Sequence, residues 1–94
     1  METVKGFYAS AVEIMDESSN LMTIKGKHHA DCIEQIKEKG LMDYYNSWHE
    51  DGFMVLIEGC SVFLSREEAT SLAKEQGIRM KGQYLTSEDL FGEL

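Results

Sequence analysis

Two adjacent histidines with a cysteine one helical turn on, His28, His29 and Cys32, are the side chains of this sequence with the most chemistry open to them. Lys25 and Lys27 precede them, so positive and proton-donating groups gather where a strand-like run gives way to an amphipathic helix. A helix N-terminus presents unpaired N–H groups and the positive end of a dipole, which together attract an anion such as phosphate. The segment therefore reads first as an anion site. A metal site is a second reading, because His29 and Cys32 share one helix face. A structural zinc, however, takes four ligands in closely spaced pairs, and only His49 and Cys60 remain, unpaired in sequence. A Cys–His nucleophile is a third. Against it, Cys32 lies on the apolar stripe of the helix, which points to burial and an inert thiol.

Arg66 stands out by position. Ser65-Arg66-Glu67-Glu68 is a capping box, in which the Ser65 hydroxyl accepts from the Glu68 N–H and Glu68 reaches back. Arg66 is then the first helical residue, where a positive charge opposes the dipole. An anion bound there would resolve the conflict; a solvated arginine is the alternative, since the mismatch is only about 0.3–1 kcal/mol. Glu67, Glu68, Glu88 and Asp89 are the carboxylates a metal-dependent nucleotide hydrolase would use. All four fall in first helical turns, where capping and the dipole already account for them. Tyr44, Tyr45, Trp48 and Tyr84 are suited to stacking on a nucleobase, at about 1–3 kcal/mol per base, or to sealing a core or subunit interface. The expectation is a structural Trp48, with Tyr45 and Tyr84 as the candidates for ligand contact.

The elements that must hold these groups follow from periodicity and turn chemistry. Val4 to Ile14, rich in β-branched and aromatic residues, is a first strand. Asp16 to Asn20 turns it back into a short strand, Leu21 to Lys25. A helix from His29 to Lys39 buries His29, Cys32, Ile33 and Ile36 and ends at Gly40. Leu41 to Gly52 lacks a clean period and reads as a long, functional loop. Phe53 to Ile57 and Ser61 to Leu64 form a second hairpin around Glu58-Gly59. The capped helix follows, burying Ala69, Leu72 and Ala73 up to Gly77. Ile78 to Leu85 is a loop or last strand, and Thr86-Ser87-Glu88-Asp89 caps a terminal helical turn. The order β-β-α-β-β-α predicts a single α+β domain, an antiparallel sheet covered by two main helices on one face. Pairing of subunits would cover its edges and open face.

Composition narrows the partners. Seventeen acidic residues against nine basic ones give a net charge of −8, which argues against long nucleic acid. A small anion remains compatible, because distant charges are screened beyond about 8–10 Å. The longest apolar run is far too short to cross a bilayer, and no charged-then-apolar leader opens the chain. The expectation is a soluble cytoplasmic protein with two reduced thiols and no membrane partner.

Four runs carry a family resemblance. They are Gly-Lys-His-His-x-Asp-Cys-Ile (Gly26 to Ile33), Asp-Gly-Phe (Asp51 to Phe53), Val-Phe-Leu-Ser-Arg-Glu-Glu-Ala-x-x-x-Ala (Val62 to Ala73) and Leu-Thr-Ser-Glu-Asp-Leu (Leu85 to Leu90). In order, and over most of the chain, they resemble a widespread group of small bacteriophage proteins with a G-x-R-H-x-D-x-I box, an F-V-x-R-E-E-A box and an L-x-S-E-D-L ending. The sequence departs from that pattern in Lys27, where a variable position or arginine is expected, and in His28, which precedes the box histidine His29. The Gln that follows the second helix is represented by Gln76 or Gln83. The group is similar to phage anti-CBASS sponge proteins. The resemblance implies a homo-oligomer, a dimer or tetramer, that binds a cyclic dinucleotide such as 3′3′-cGAMP without cleaving it. It also implies no enzymatic activity, cofactor or metal, and action in the cytoplasm of the infected host. Lys27, His28, His29 and Arg66 would hold phosphates, and Tyr45 or Tyr84 would stack on a base. The rival readings are an inhibitor that binds a host protein through its acidic surface, and a hydrolase of a nucleotide signal.

Overall fold

The computed structural model describes residues 6–92. Its elements run β1 (Phe7–Met15), β2 (Leu21–Gly26), α1 (His29–Glu38), α2 (Met42–Ser47), β3 (His49–Ile57), β4 (Cys60–Ser65), α3 (Arg66–Glu75) and α4 (Ser87–Phe91). The fold is α+β. Two antiparallel hairpins, β1–β2 and β3–β4, join along β1 and β3 into one sheet ordered β2-β1-β3-β4. The first turn is tied by Asp16, whose Oδ1 accepts from the N–H groups of Ser18 and Asn20 at 2.9 Å each. The second turn places Glu58 and Gly59 at φ 52° and 82°, the type I′ arrangement that matches the twist of its strands.

Register decides which face each helix meets. Ser10 pairs with Phe53, Val12 with Asp51 and Ile14 with His49, so these residues share one face of the sheet. α1 packs Cys32 and Ile36 onto Val12, Ile14 and Ile24 on that face. α3 packs Ala69 and Ala73 beside Phe53 and Val55, with Leu85 and Leu90 closing the cluster. Burying a large apolar side chain such as Phe53, Ile14 or Ile36 is worth about 1.5–3 kcal/mol each, so the two clusters hold the helices to one face. The opposite face buries Ala9, Ala11 and Met54 under Phe63. Gly52 is where these layers meet. A Cβ there would come within 2.1 Å of the Leu64 carbonyl and 2.6 Å of the Phe63 ring, so only glycine fits.

Both main helices stop as their glycines predict. Leu41 N–H bonds to the Ile36 carbonyl and Gly40 N–H to that of Lys37; Ile78 and Gly77 repeat the pattern on Ala73 and Lys74. One segment differs from the sequence expectation, and a second is decided between two alternatives. Leu41 to Gly52 is not a loop: it holds α2 and the first four residues of β3. α2 has no side-chain cap, and Met42, Tyr44 and Tyr45 pack against the first cluster, so tertiary contact forms it without a local signal. The strand extends back to His49 because the backbone at 49–52 pairs with Ala11 to Ile14 of β1. Residues 78–86 are a loop. The Leu85 N–H goes to the Thr70 hydroxyl at 2.9 Å, leaving no ladder for a strand to join. The expected strand start at Val4 lies outside the described residues.

Candidate functional site

The first turn of α3 is built as the capping box requires. Ser65 Oγ accepts from the Glu68 N–H at 3.3 Å, and Glu68 Oε1 accepts from the Ser65 N–H at 3.0 Å. The helix mouth is therefore filled by the protein's own groups. What remains available is the Arg66 side chain. Its guanidinium donates to the Leu85 carbonyl at 3.5 Å and to His29 Nδ1 at 3.4 Å, and lies 6.0 Å from the Phe53 ring centre. Among the described residues no carboxylate lies within ion-pair distance of Arg66. Thr70 sets the geometry: its hydroxyl donates to the Arg66 carbonyl at 2.7 Å while accepting from Leu85, which docks the 78–86 loop beside the arginine.

The mouth of α1 is closed in another way. Asp31 Oδ2 accepts from the His28 N–H at 3.0 Å. His28 is 3% exposed and its Nε2 donates to the Gly92 carbonyl at 2.6 Å. His28 thus pins the C-terminal segment and does not face solvent. His29 turns toward α3 and packs edge-on against Phe53. Its Nε2–H donates to the Gly52 carbonyl at 2.9 Å, and Nδ1 lies 3.0 Å from Ser87 Oγ. Burial lowers the proton affinity of this imidazole most; the Gly52 carbonyl opposes that, and the neighbouring Arg66 charge adds to it. His29 rests neutral, as an Nε2–H tautomer with Nδ1 as acceptor.

Of the six residues singled out from the sequence, the fold brings Arg66 and Tyr84 onto one cavity, with His29 touching Arg66 without lining it. An open cavity of about 410 Å³ is lined by His49, Glu50, Asp51, Arg66, Glu67 and Tyr84, within the size range of small-molecule sites. Tyr45 stacks on His49, ring centres 3.9 Å apart and planes within 6°, so it reaches the cavity only through that partner. Lys27 is exposed and lines no part of it, and His28 is buried elsewhere. Trp48, expected to be structural, is 39% exposed and joins no buried cluster. Glu68 and Asp89 act as caps, as predicted, whereas Glu67 faces the cavity.

Cys32 is fully buried and its thiol is pushed up to about 11, chiefly by that burial. A thiol so weakly acidic is no nucleophile near neutral pH. His28 and His29 each spend Nε2 on a backbone carbonyl, so neither offers it to a metal. Sequence reasoning missed Ser10, Ser87 and Asp51. Ser10 sits in a strand like any small residue, and Ser87 was visible only as part of a helix start. The carboxylates of the cavity, Glu50 and Asp51, fell in the segment read as a loop. No family model, curated protein or solved structure matches the chain.

Proposed function

We infer that this protein binds a cyclic dinucleotide second messenger, such as 3′3′-cGAMP, and sequesters it uncleaved, so that a phage carrying it blunts CBASS-type signalling in the host cytoplasm. The observation that carries this reading is Arg66: a half-buried guanidinium at a cavity rim, held by neutral partners alone among the described residues. Phosphate suits such a group, because planar N–H donors meet its oxygens in a fork. Tyr84, 48% exposed, and the His49–Tyr45 stack provide flat surfaces for a base. Asp51, Glu50 and Glu67 would accept from the amino and imino groups of a base edge. Sequestration without cleavage is supported by the inert Cys32 and by the commitment of Glu68 and Asp89 to caps. Nanomolar binding corresponds to about −12 kcal/mol, which calls for burying most of the ligand. An open cavity on one chain would reach that by pairing with a second copy.

Calorimetry with 3′3′-cGAMP tests the reading directly. The expected result is saturable heat, lost in Arg66→Ala, and recovery of the unshortened nucleotide after heat denaturation. Absence of heat, or recovery of a cleaved product, overturns it. The three carboxylates on the cavity and the −8 charge favour one other reading, an inhibitor that binds a basic host protein. That reading requires a stoichiometric partner whose capture weakens with salt and is lost in Glu50→Gln with Asp51→Asn, while nucleotides give no heat.

A further inference from the structure

Behind Arg66 runs a chain of hydrogen bonds that is short of one proton. It starts at the Gly52 carbonyl, 2.9 Å from His29 Nε2, and continues from His29 Nδ1 to Ser87 Oγ at 3.0 Å. Ser87 Oγ lies 2.5 Å from Ser10 Oγ, which reaches the Lys27 carbonyl at 3.0 Å. Both ends are carbonyls and accept only. Four links thus join the groups, and each needs its own proton. With a neutral imidazole the three side chains carry one proton each, and one link stays unfilled. Ser10 and Ser87 are buried, so water does not supply the missing donor freely.

Arg66 holds the chain in this state. Its Nη2 points at the same Nδ1 that the extra proton would occupy, 3.4 Å away. A protonated Nδ1 would set donor against donor and cation against cation. The charged groups facing the imidazole are Arg66 on α3, Asp51 on β3 and Glu88 on α4, and only the first repels a proton. An anion seated on Arg66 would neutralise the guanidinium and draw it outward, leaving Nδ1 free to bind a proton and donate it to Ser87.

We propose that the His29–Ser87–Ser10 chain is a proton site coupled to Arg66, so that binding of a phosphate-type anion there is accompanied by proton uptake from solvent. The proposal rests on the reading above only in placing an anion on Arg66. It adds that binding tightens as pH falls toward the imidazole's titration range, and that the buried serines carry part of the coupling. Because the site recognises the oxyanion, a free inorganic anion and a nucleotide phosphate are alike to it.

The test follows the His29 ring by NMR in the full chain, titrating pH with and without sodium sulfate, whose charge is constant near neutral pH. Sodium chloride at matched ionic strength is the control. The expected result is that sulfate raises the His29 midpoint by about one pH unit and chloride does not. Arg66→Gln should raise the midpoint without sulfate and abolish the response. Ser87→Ala, which removes the acceptor for Nδ1–H and leaves Arg66 in place, should shrink the sulfate-induced rise. A wild-type midpoint that moves no further in sulfate than in chloride overturns the proposal, as does a full response in Ser87→Ala. No nucleotide enters this experiment. A failure of cyclic dinucleotides to bind therefore leaves its outcome intact, and a failure here leaves the calorimetric test standing.

Discussion

α1 and α3 are each ten residues long and each follows the second strand of a hairpin, yet their first turns handle charge in opposite ways. Before α1 stands an imidazole that folds inward, and His28 and His29 both spend Nε2 on backbone carbonyls of other segments. Before α3 stands a small hydroxyl, and the Arg66 that follows leans over a cavity rim. Acidic residues fill both mouths, Asp31 on one and Glu68 on the other. The aligned N–H groups are thus common to both helices and decide nothing. Side-chain size and direction do: the histidine pair became internal struts, and the cation against the dipole stayed available for a ligand.

The seam between the two halves offers the largest effect. Gly52 sits in β3 with Phe63 against its Cα on one face and His29 on its carbonyl. In Gly52→Ala the new methyl meets the Leu64 backbone oxygen, which cannot rotate away, so β3 and β4 must separate. The cost is about 3 kcal/mol, near the top of the overpacking range, and Tm should fall by about 12 °C or more. A drop of only a few degrees would show that the pairing of β3 with β4 yields there.

Substitutions at the two mouths sharpen the contrast. His28→Ala removes a buried ring and leaves the Gly92 carbonyl without its donor, a loss of about 2 kcal/mol. Ser65→Ala removes one cap acceptor at the surface and should cost about 1 kcal/mol, roughly 4–8 °C in Tm. Thermal denaturation of the two variants side by side reads the order. Equal losses would mean that His28 is no more of a strut than an ordinary cap.

What could be read from sequence is what local chemistry specifies. Ser65 with Glu68 and Thr86 with Asp89 are reciprocal hydrogen bonds within four residues, and both form as expected. Glu58-Gly59 and the glycines after α1 and α3 likewise act through their own backbone angles. α2 was illegible because Met42, Tyr44 and Tyr45 become helical by packing on a core built from β1 and α1. The site was legible by type and not by direction. Arg66 announced itself by breaking a charge rule, but nothing near His28 tells that the Gly92 carbonyl, sixty-four residues on, will accept its hydrogen bond. The Ser10–Ser87 contact spans almost the whole chain, and no periodicity encodes it.

The smallest effect separates the halves by titration. His29 binds its proton less readily in the folded chain than the ordinary imidazole value of 6.5, because burial and Arg66 disfavour the cation. A group depressed by folding contributes stability above its unfolded value, and that contribution is lost as pH falls below it. Tm should therefore drift downward from pH 6.5 toward the carboxylate range, by less than the Ser65→Ala loss, since His29 is only half-buried and solvent screens part of the effect. Glu13 acts with the opposite sign lower down: burial first, then Glu50 across the ladder, hold its carboxyl above 4.5, so its protonation favours the fold. The downward drift should then level off as Glu13 takes its proton. Arg66→Gln removes one of the two causes that depress His29 and should make the drift shallower, while Ser65→Ala lowers the curve without changing its slope. If Arg66→Gln leaves the slope as steep as before, burial alone sets the imidazole, and the arginine of the second half has no electrostatic hold on the histidine of the first.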